Sequence, residues 1–488
     1  MDIAISILCA LCLTVASAEC FRVLQMISYR PERGYFAIYV SYYFGALALA
    51  QVAVILLHIF VPHAHYVNTT LFAVVAVVFA VIKRKCPLKL TKRVLRMFAV
   101  ELLVLTPLCI FVDNCYWLWL LPLFALLSWL VCLPIDCIIA NRYLSLAQHK
   151  LTESKVCVIA ITGSYGKTSV KDMLSTLLKD SITPSGSCNT PLGIAKFINS
   201  TNFDNYKYLV LEFGARKKGD IAKLCKLYTP FCGVVTGVCA QHLSTFRTFD
   251  NIIATKRELV ENLPSDGFCV LNQSDEYARQ FADSGVCTKY LSYDGIELTT
   301  CKVDFDGTHI SLSTGSETVE LRLPQISDYV VDTFAMCLQV ALKLNQTVAD
   351  TVCATVRVKQ TPHRLELIRG AGCFVLDDSY NASIVGVASC VETLKHFDCA
   401  KVVITQGLVE CGKQRRQLNE RCGQLLGDVC EVAVVLGSNK KYLAAGLQST
   451  NCKVLYAKSL AEAVQLASPH ARGGILLFQN DLPDVVNL

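Results

Sequence analysis

A glycine-rich segment that directly follows an apolar run has the residues needed to bind phosphate. Residues 156–161 are continuously apolar, and a helical pattern begins soon after the segment. The segment itself reads Thr162-Gly163-Ser164-Tyr165-Gly166-Lys167-Thr168-Ser169. Glycines let backbone N–H groups approach a phosphate, while the Lys167 ammonium would neutralise phosphate charge and the Thr168 hydroxyl would bind Mg²⁺.

The placement of this segment between a strand and a helix carries the prediction, because its spacing is shorter than the strict phosphate-loop pattern. That pattern needs a glycine where Ile161 stands. The alternative is a structural turn with no ligand. As a nucleotide site, the segment predicts that ATP contacts Gly163, Ser164, Gly166, Lys167, Thr168 and Ser169.

Two further polar side chains follow apolar runs that read as strands. The run at 208–211 ends at Glu212, and His242 lies just beyond the run at 233–238. Ligand-binding groups collect at the carboxyl ends of strands in an open α/β sheet. Each residue alone is more simply a surface polar group, but beside a phosphate loop a carboxylate and an imidazole suit a second divalent cation.

The elements that must position these residues alternate between strand and helix. After the phosphate loop, further apolar strands are predicted at 401–405 and 432–437, separated by a helical pattern at 414–426. Alternation of this kind indicates parallel sheets covered by helices. We therefore expect an α/β half with a central phosphate-loop ATPase domain and a Rossmann-like C-terminal domain.

The N-terminal third has a different composition. Hydrophobic residues make up 53% of the chain and the mean hydropathy is +0.42, which favours a membrane segment. Five apolar runs stand out, at 3–18, 35–61, 66–82, 98–112 and 116–135. The second and fifth are long enough to span a bilayer and the others need their flanks. A cleaved signal peptide, with Ala16-Ser17-Ala18 as its cleavage site, is the alternative for the first run.

Basic residues between the runs predict the orientation. The first loop carries Arg22, Arg30 and Arg33, and residues 83–93 carry six more basic side chains, whereas the second and fourth loops carry none. Positively charged loops stay in the cytoplasm. About five spans with the N-terminus outside then place the remaining chain in the cytoplasm, after an amphipathic connecting helix at 141–155.

Charge and cysteine content exclude other classes. A net charge of +6 without a basic patch interleaved with aromatic residues argues against nucleic acid as a partner. The 25 cysteines are scattered, many within apolar runs, which is typical of buried thiols in a reducing compartment. The Cys-x-x-Cys pair formed by Cys9 and Cys12 is more simply two helix-packing thiols than a metal or redox site.

From about residue 156 onward, the order and spacing of these motifs resemble the Mur ligase family. The most similar branch joins D-alanyl-D-alanine to a UDP-linked muramoyl tripeptide. Other segments carry the resemblance besides the phosphate loop: Leu211-Glu212-Phe213-Gly214-Ala215, His242-Leu243, Ala254-Thr255-Lys256, Leu271-Asn272, Pro362-His363-Arg364-Leu365-Glu366, Asp377-Asp378-Ser379-Tyr380-Asn381-Ala382 and Gly407-Leu408-Val409-Glu410. Each is weak alone, and their common order makes the resemblance specific.

The resemblance implies an ADP-forming amide ligase. ATP would phosphorylate a peptide carboxylate, and an amine would then attack the acyl phosphate. Lys167, Lys256 and His242 would be the catalytic residues. Thr168, Glu212, His242 and Lys256 would form the Mg²⁺ site, with Lys256 carbamylated as in several members. The alternative for Lys256 is an ordinary lysine on a helix surface.

The resemblance also assigns nucleotide contacts outside the phosphate loop. Asn272 would bind the cofactor, Arg364 would reach the ATP phosphates and Asp378 would contact the ribose. A histidine-asparagine motif that contacts adenine should fall near residues 327–332, but the asparagine is absent. The Asn-Pro that usually follows Tyr-Asn-Ala is replaced by Ser383-Ile384, on the amino-substrate side.

These observations predict three parts: a membrane region with a connecting helix at 1–145, a central ATP-binding domain at 146–355 and a C-terminal domain at 356–488. The family's UDP-sugar domain has no counterpart, and the membrane runs take its place. We expect an enzyme of the bacterial inner membrane that uses a peptidoglycan precursor, nucleotide-linked or lipid-linked, and a D-amino acid or dipeptide. A membrane-anchored poly-γ-glutamate synthetase type of ligase and a non-catalytic nucleotide-binding scaffold remain alternatives. The oligomeric state stays open.

Overall fold

The computed structural model describes residues 3–27, 29, 39–42, 88–111, 117–241, 243–315, 317–370, 372–380, 382–409 and 411–480. The chain divides into two compact units, Met1–Arg142 with Asp484–Leu488, and Tyr143–Pro483. His242, the predicted run at 66–82 and most of the run at 35–61 lie outside the described residues.

The described part of the first unit is helical. Its helices are α1 (Ile3–Ala16), α2 (Ala18–Met26), α3 (Lys92–Phe111) and α4 (Trp117–Ser154). Among the described residues, three stretches are long and apolar enough to cross a membrane: Ser6–Met26, Lys92–Phe111 and Leu120–Ser154. They overlap with the first, fourth and fifth of the five predicted runs. The predicted connecting helix is not separate, since it forms the end of the 38-residue α4.

Apolar packing and one buried polar contact join the helices of this unit. Leu13, Leu105 and Leu121 share a buried cluster. Other apolar side chains point outward, and Phe111 is 84% exposed. Glu101 is buried and accepts a hydrogen bond from the Ser17 hydroxyl at 2.5 Å. The carboxylate that interrupts the fourth apolar run therefore faces a neighbouring helix, as polar groups within helical membrane bundles commonly do.

The second unit contains two six-stranded sheets and one three-stranded sheet. The strands are β1 (Cys157–Thr162), β2 (Ser181–Ile182), β3 (Tyr208–Glu212), β4 (Cys232–Val235), β5 (Phe268–Leu271), β6 (Thr288–Leu291), β7 (Glu297–Asp304), β8 (Gly307–Thr314), β9 (Glu317–Leu323), β10 (Glu366–Arg369), β11 (Phe374–Asp378), β12 (Lys401–Gly407), β13 (Val432–Val435), β14 (Lys453–Tyr456) and β15 (Ile475–Asn480).

Helices cover these sheets. They are α5 (Lys167–Leu177), α6 (Pro191–Ser200), α7 (Asp220–Tyr228), α8 (Leu243–Phe246), α9 (Phe249–Glu261), α10 (Glu276–Arg279), α11 (Tyr329–Lys343), α12 (Val348–Ala354), α13 (Ile384–Lys395), α14 (Arg415–Gly427), α15 (Lys440–Leu447) and α16 (Leu460–Ala467).

The first sheet is parallel, with strand order β2-β3-β1-β4-β5-β6. Its central strand is buried on both faces, which explains its continuous apolar sequence. Val158 and Ala160 point into one hydrophobic cluster, and Ile159 and Ile161 point into another. The strand order reverses beside β1, and ligands bind at the carboxyl ends of the strands at such a point.

Two features of the second unit were not predicted. Strands β7, β8 and β9 form an antiparallel sheet, and their side chains contribute to the cluster beneath α5 and α11. The C-terminal sheet, of order β10-β11-β15-β12-β13-β14, is parallel except for the antiparallel pair β10–β11. Arg364 lies in the turn just before β10 and Asp378 ends β11, so this pair positions part of the candidate site.

Candidate active site

The phosphate loop lies at the carboxyl end of β1 and leads into α5. Gly166 has φ +74°, in the left-handed region, and a Cβ there would overlap with the Tyr329 ring. Glycine is therefore required at this turn. The Lys167 ammonium donates to the carbonyls of Gly163 at 2.8 Å and Ser164 at 3.3 Å, so its charge lies directly over the loop.

Charges around the loop act on Lys167. Burial is the main effect and lowers the pKa of its ammonium. The Glu212 carboxylate opposes this effect and the Arg364 guanidinium adds to it. Arg364 comes from the turn before β10, so the structure brings a C-terminal arginine within electrostatic reach of the phosphate loop.

Thr168 and Glu212, the first two predicted metal ligands, lie in direct contact. The Thr168 hydroxyl donates to one oxygen of Glu212 at 2.9 Å. This contact follows from the parallel pairing of β1 with β3, which sets Glu212 beside Ile161 at the strand ends. A hydroxyl and a carboxylate are hard oxygen donors of the kind that Mg²⁺ prefers, so the residues present fit this ion.

Asn189 is a site residue that the sequence reasoning missed. Its side-chain amide donates to the second oxygen of Glu212 at 3.2 Å, and its carbonyl accepts from the Gly214 amide at 3.1 Å. Both oxygens of the carboxylate are therefore oriented by neighbours. Asn189 precedes α6 in a loop without a regular pattern, so no periodic signal marked it.

Lys256 lies on α9 and is only 4% exposed. Among the described residues its ammonium has no hydrogen-bond or ion-pair partner. Burial, followed by the charge of Lys167, lowers the pKa of Lys256 to about 7, although Glu212 acts in the opposite direction. A buried lysine with this pKa is partly a neutral amine at physiological pH, which a plain surface lysine is not.

Loops beyond β4 and β5 hold the phosphate loop in place. Asn272 is buried, and its amide donates to the Thr236 carbonyl at 2.9 Å. Thr236 in turn donates its hydroxyl to the Tyr165 carbonyl at 2.5 Å. Asn272, predicted to bind the cofactor, therefore contacts the phosphate loop indirectly, through Thr236.

Asp275 was not predicted, yet it joins three elements. Its carboxylate accepts from the Tyr165 hydroxyl at 2.7 Å, the Val238 amide at 3.1 Å and the Ala278 amide at 2.8 Å. The segment before His242 is also tied to the loop, because the Ser164 hydroxyl donates to the Cys239 carbonyl at 3.2 Å. His242 itself lies outside the described residues.

Arg364 occupies a turn of unusual backbone geometry. His363 and Leu365, on either side of it, have φ of +59° and +49°. Both values fall in the left-handed region, which is unfavourable for residues other than glycine. His363 is held by its ring, 2.7 Å from Asp377, and by its amide, which donates to Glu366 at 3.0 Å. These contacts fix a strained turn that directs the arginine.

Asp378 ends β11 beside this turn. Burial raises the pKa of its carboxyl group to about 6, and the Arg364 guanidinium and the Leu365 amide partly offset the shift. The arginine also lies over the Tyr380 ring, at 4.7 Å from its centroid. The two residues predicted to contact ATP from the C-terminal domain are therefore neighbours.

The segment at 327–332, where the resemblance places the adenine contact, has different chemistry. The ring of Tyr329 lies 5.6 Å from that of Tyr165, and both pack on the phosphate-loop side. Asp332 accepts from the hydroxyls of Ser274 and Tyr293, each at 2.6 Å. An aromatic pair and a carboxylate stand in the region where an amide is expected.

Comparison with known proteins agrees with this architecture. Residues 161–341 match the Mur ligase middle domain, and residues 363–479 match the Mur ligase, glutamate ligase domain. The chain belongs to the Mur ligase family.

Within the family, the chain is similar to UDP-N-acetylmuramoyl-tripeptide–D-alanyl-D-alanine ligases. It is 25% identical to the Escherichia coli K12 protein over 60% of this chain and 65% of that one. It is 31% identical to the Mycobacterium tuberculosis H37Rv protein over 48% of each. The chain thus spans about half to two thirds of these relatives. The structure of MurF ligase from Thermotoga maritima in complex with ADP superposes with a TM-score of 0.62 at 23% identity, over 70% of this chain and 80% of that one.

Proposed function

We propose that this chain is an ATP-dependent, ADP-forming amide ligase of peptidoglycan precursor synthesis. The carrying observation is the convergence of Lys167, Thr168 and Glu212 at the carboxyl end of β1, with the Arg364 guanidinium near enough to lower the pKa of Lys167. Two cations near a phosphate loop suit phosphoryl transfer, which depends on positioning and charge neutralisation rather than on a protein nucleophile.

Each residue has a distinct task in the proposed reaction. A donor carboxylate oxygen attacks the terminal phosphorus of ATP, releasing ADP and forming an acyl phosphate. The Lys167 ammonium stabilises the charge that develops on the transferred phosphoryl group. Mg²⁺, when bound, further neutralises this charge, and Thr168 and Glu212 would hold it together with His242 and a carbamylated Lys256.

The second step forms the amide. The amine of the acceptor attacks the acyl carbon, the C–O bond to phosphate breaks and the nitrogen loses a proton. Arg364 would stabilise the departing phosphate from the C-terminal side, and Asp378 would accept a hydrogen bond from the ribose. One six-stranded sheet lies before residue 355 and the other after it, which supports a division into domains at 146–355 and 356–488.

The proposed donor is a UDP-MurNAc-tripeptide or a lipid-linked equivalent, and the proposed acceptor is D-alanyl-D-alanine. Similarity to ligases named for these substrates supports both assignments. Ser383-Ile384 replaces Asn-Pro on the amino-substrate side, and this replacement supports a different acceptor as the alternative. We further propose a location in the bacterial inner membrane, with about five spans and the catalytic unit in the cytoplasm. The three apolar helices and the basic residues at 30–33 and 83–93 support this topology, whereas Arg22, predicted in the first loop, is buried in α2 and paired with Glu19.

A second candidate is a membrane-bound nucleotide-binding scaffold without turnover. The replacement of the expected asparagine in residues 327–332 favours it, because Tyr329 and Asp332 already interact with protein groups. The contact between Thr168 and Glu212 and the buried Lys256 favour catalysis instead, since a scaffold has no need of a preserved metal site. A poly-γ-glutamate synthetase type of ligase shares the chemistry and differs in substrate.

The test is phosphate release from ATP by the detergent-solubilised full-length protein with UDP-MurNAc-tripeptide, with and without D-alanyl-D-alanine. We expect release that requires both substrates and a pentapeptide product visible by mass. Release that requires D-alanyl-D-alanine and a lipid-linked tripeptide, and does not occur with the UDP-linked tripeptide, would identify the other donor. Binding of ATP without release, for every donor and acceptor offered, would establish the scaffold instead.

A further inference from the structure

Four exposed lysines, here called the basic row, lie on α7 and in the turn that precedes it: Lys217, Lys218, Lys223 and Lys226. Lys223 and Lys226 are three residues apart on α7, so they point to the same side of the helix. The opposite side of α7 is buried, with Ile221, Leu224 and Tyr228 in the hydrophobic core. Lys223 and Lys226 therefore lie on the exposed side of α7.

Acidic residues near the row are already engaged by backbone groups. Asp220 accepts from the amides of Arg216 and Lys217, at 2.9 and 3.1 Å. Glu258 is buried and accepts from the amides of Gly219 and Ala222. Within the part of the chain that the structure describes, none of the four lysines has an ion pair. The four lysine charges outnumber these two carboxylates, so the row keeps an excess of positive charge.

The row ends where the chain enters the second unit. Gln148, on the last part of α4, donates its amide to the Lys226 carbonyl at 3.5 Å. Ala147 and Leu151, also on α4, are buried in the same core cluster as the apolar side of α7. Two apolar side chains are exposed on this part of α4, Tyr143 at 41% and Leu146 at 54%.

We propose that the basic row, together with Tyr143 and Leu146, docks on the anionic lipid headgroups of the bilayer that holds the N-terminal helices. Lysines near an anionic surface each strengthen binding by about fivefold, and exposed apolar side chains enter the interface. A chain tethered to the same bilayer needs little affinity to dock, because its effective concentration is high. This inference rests on the proposed membrane location and does not depend on turnover.

The experiment compares full-length protein in nanodiscs of phosphatidylcholine alone with discs that also contain phosphatidylglycerol. Amide hydrogen exchange is followed over residues 216–228 by mass spectrometry. We expect slower exchange in the anionic discs only, and loss of this protection when salt screens the charges. The combined variant Lys217→Gln, Lys218→Gln, Lys223→Gln and Lys226→Gln should exchange as in neutral discs.

A matched control replaces four exposed lysines of the C-terminal domain and should retain the protection: Lys440→Gln, Lys441→Gln, Lys453→Gln and Lys458→Gln. Equal exchange in both lipids, or protection that survives the first variant, overturns the proposal. Protection that needs soluble UDP-MurNAc-tripeptide rather than anionic lipid also overturns it and assigns the row to a nucleotide diphosphate. Failure of the ligase assay leaves this result unaffected, because exchange is measured without turnover.

Discussion

The two sides of the candidate nucleotide site differ in how far they follow the family pattern. On the phosphate side, Lys167, Thr168 and Glu212 match it and meet in space. On the side assigned to the base, Tyr329 and Asp332 replace the expected amide chemistry and contact other protein groups. Phosphoryl transfer requires fixed charges and metal ligands, whereas packing can hold a base in several ways.

The largest expected effect comes from removing the charge at the phosphate loop. Lys167→Ala should lower phosphate release at least about a thousandfold, because a preorganised cation facing the transferred group is lost. The matched control is Lys179→Ala, at an exposed lysine just beyond α5, which should keep wild-type turnover. Wild-type turnover in the Lys167 variant would mean that the Lys167 charge takes no part in phosphoryl transfer.

A second test concerns Lys256 and depends on pH. Its lowered pKa of about 7 means that the amine is mostly protonated below this pH and mostly neutral above it. Only the neutral amine attacks CO₂, so bicarbonate should stimulate turnover above the pKa and have little effect below it. Turnover in CO₂-depleted buffer and the intact protein mass measure this directly.

Removal of the amine provides the control. Lys256→Met should lose turnover by about a hundredfold and lose its response to bicarbonate, since the metal site would lack one ligand. A bicarbonate response that persists in this variant would assign the effect to another group. An unmodified mass with full turnover would return Lys256 to the role of a structural lysine.

A smaller effect is expected from Asp275, which accepts a hydrogen bond from the hydroxyl of Tyr165 in the phosphate loop. Asp275→Ala removes the acceptor of the Tyr165 hydroxyl and of the Val238 and Ala278 amides, so the phosphate loop loses one oriented contact and the segments beside it lose two. We expect the KM for ATP to rise by about tenfold and kcat to change less, because the contacts act through position. Asp275→Asn keeps one carbonyl acceptor and should lie between.

The control for this change is Asp266→Ala, at an exposed carboxylate in the loop before β5. An equal fall in kcat and in kcat/KM for Asp275→Ala would mean that the carboxylate acts in the transition state rather than in positioning ATP. Unchanged kinetics would mean that the contacts of Asp275 affect neither ATP binding nor turnover.

Particular residues explain how far the sequence could predict this site. Glu212 was predictable because an apolar strand ends there, and parallel pairing with β1 sets it beside the phosphate loop. Asn189 and Asp275 were not, since each lies in an irregular loop and acts through tertiary contacts distant in sequence. Periodicity reports regular elements, whereas the position of a loop depends on packing that develops only in the folded chain.

The same reasoning applies to the strands that were missed. β7 to β9 contain alternating polar and apolar residues and cover one core, yet their pairing is antiparallel and local. A search for continuous apolar runs finds strands buried on both faces and passes over those with one solvated face. The predicted parallel strands of both domains were therefore found more readily than the smaller sheet.

The smallest expected effect tests whether the altered base side also holds the two domains together. Asp328, in the altered segment, lies 2.9 Å from the His396 ring at the end of α13. Their side chains are 44% and 37% exposed, so solvent screens the pair, and such contacts contribute little to stability. His396→Gln should change the KM for ATP by less than about threefold, as should the neighbouring control Lys395→Gln.

A rise well beyond the control, measured with kcat unchanged, would mean that the base side controls domain closure through this pair. The departure from the family pattern would then be a functional exchange of a base contact for a contact between domains.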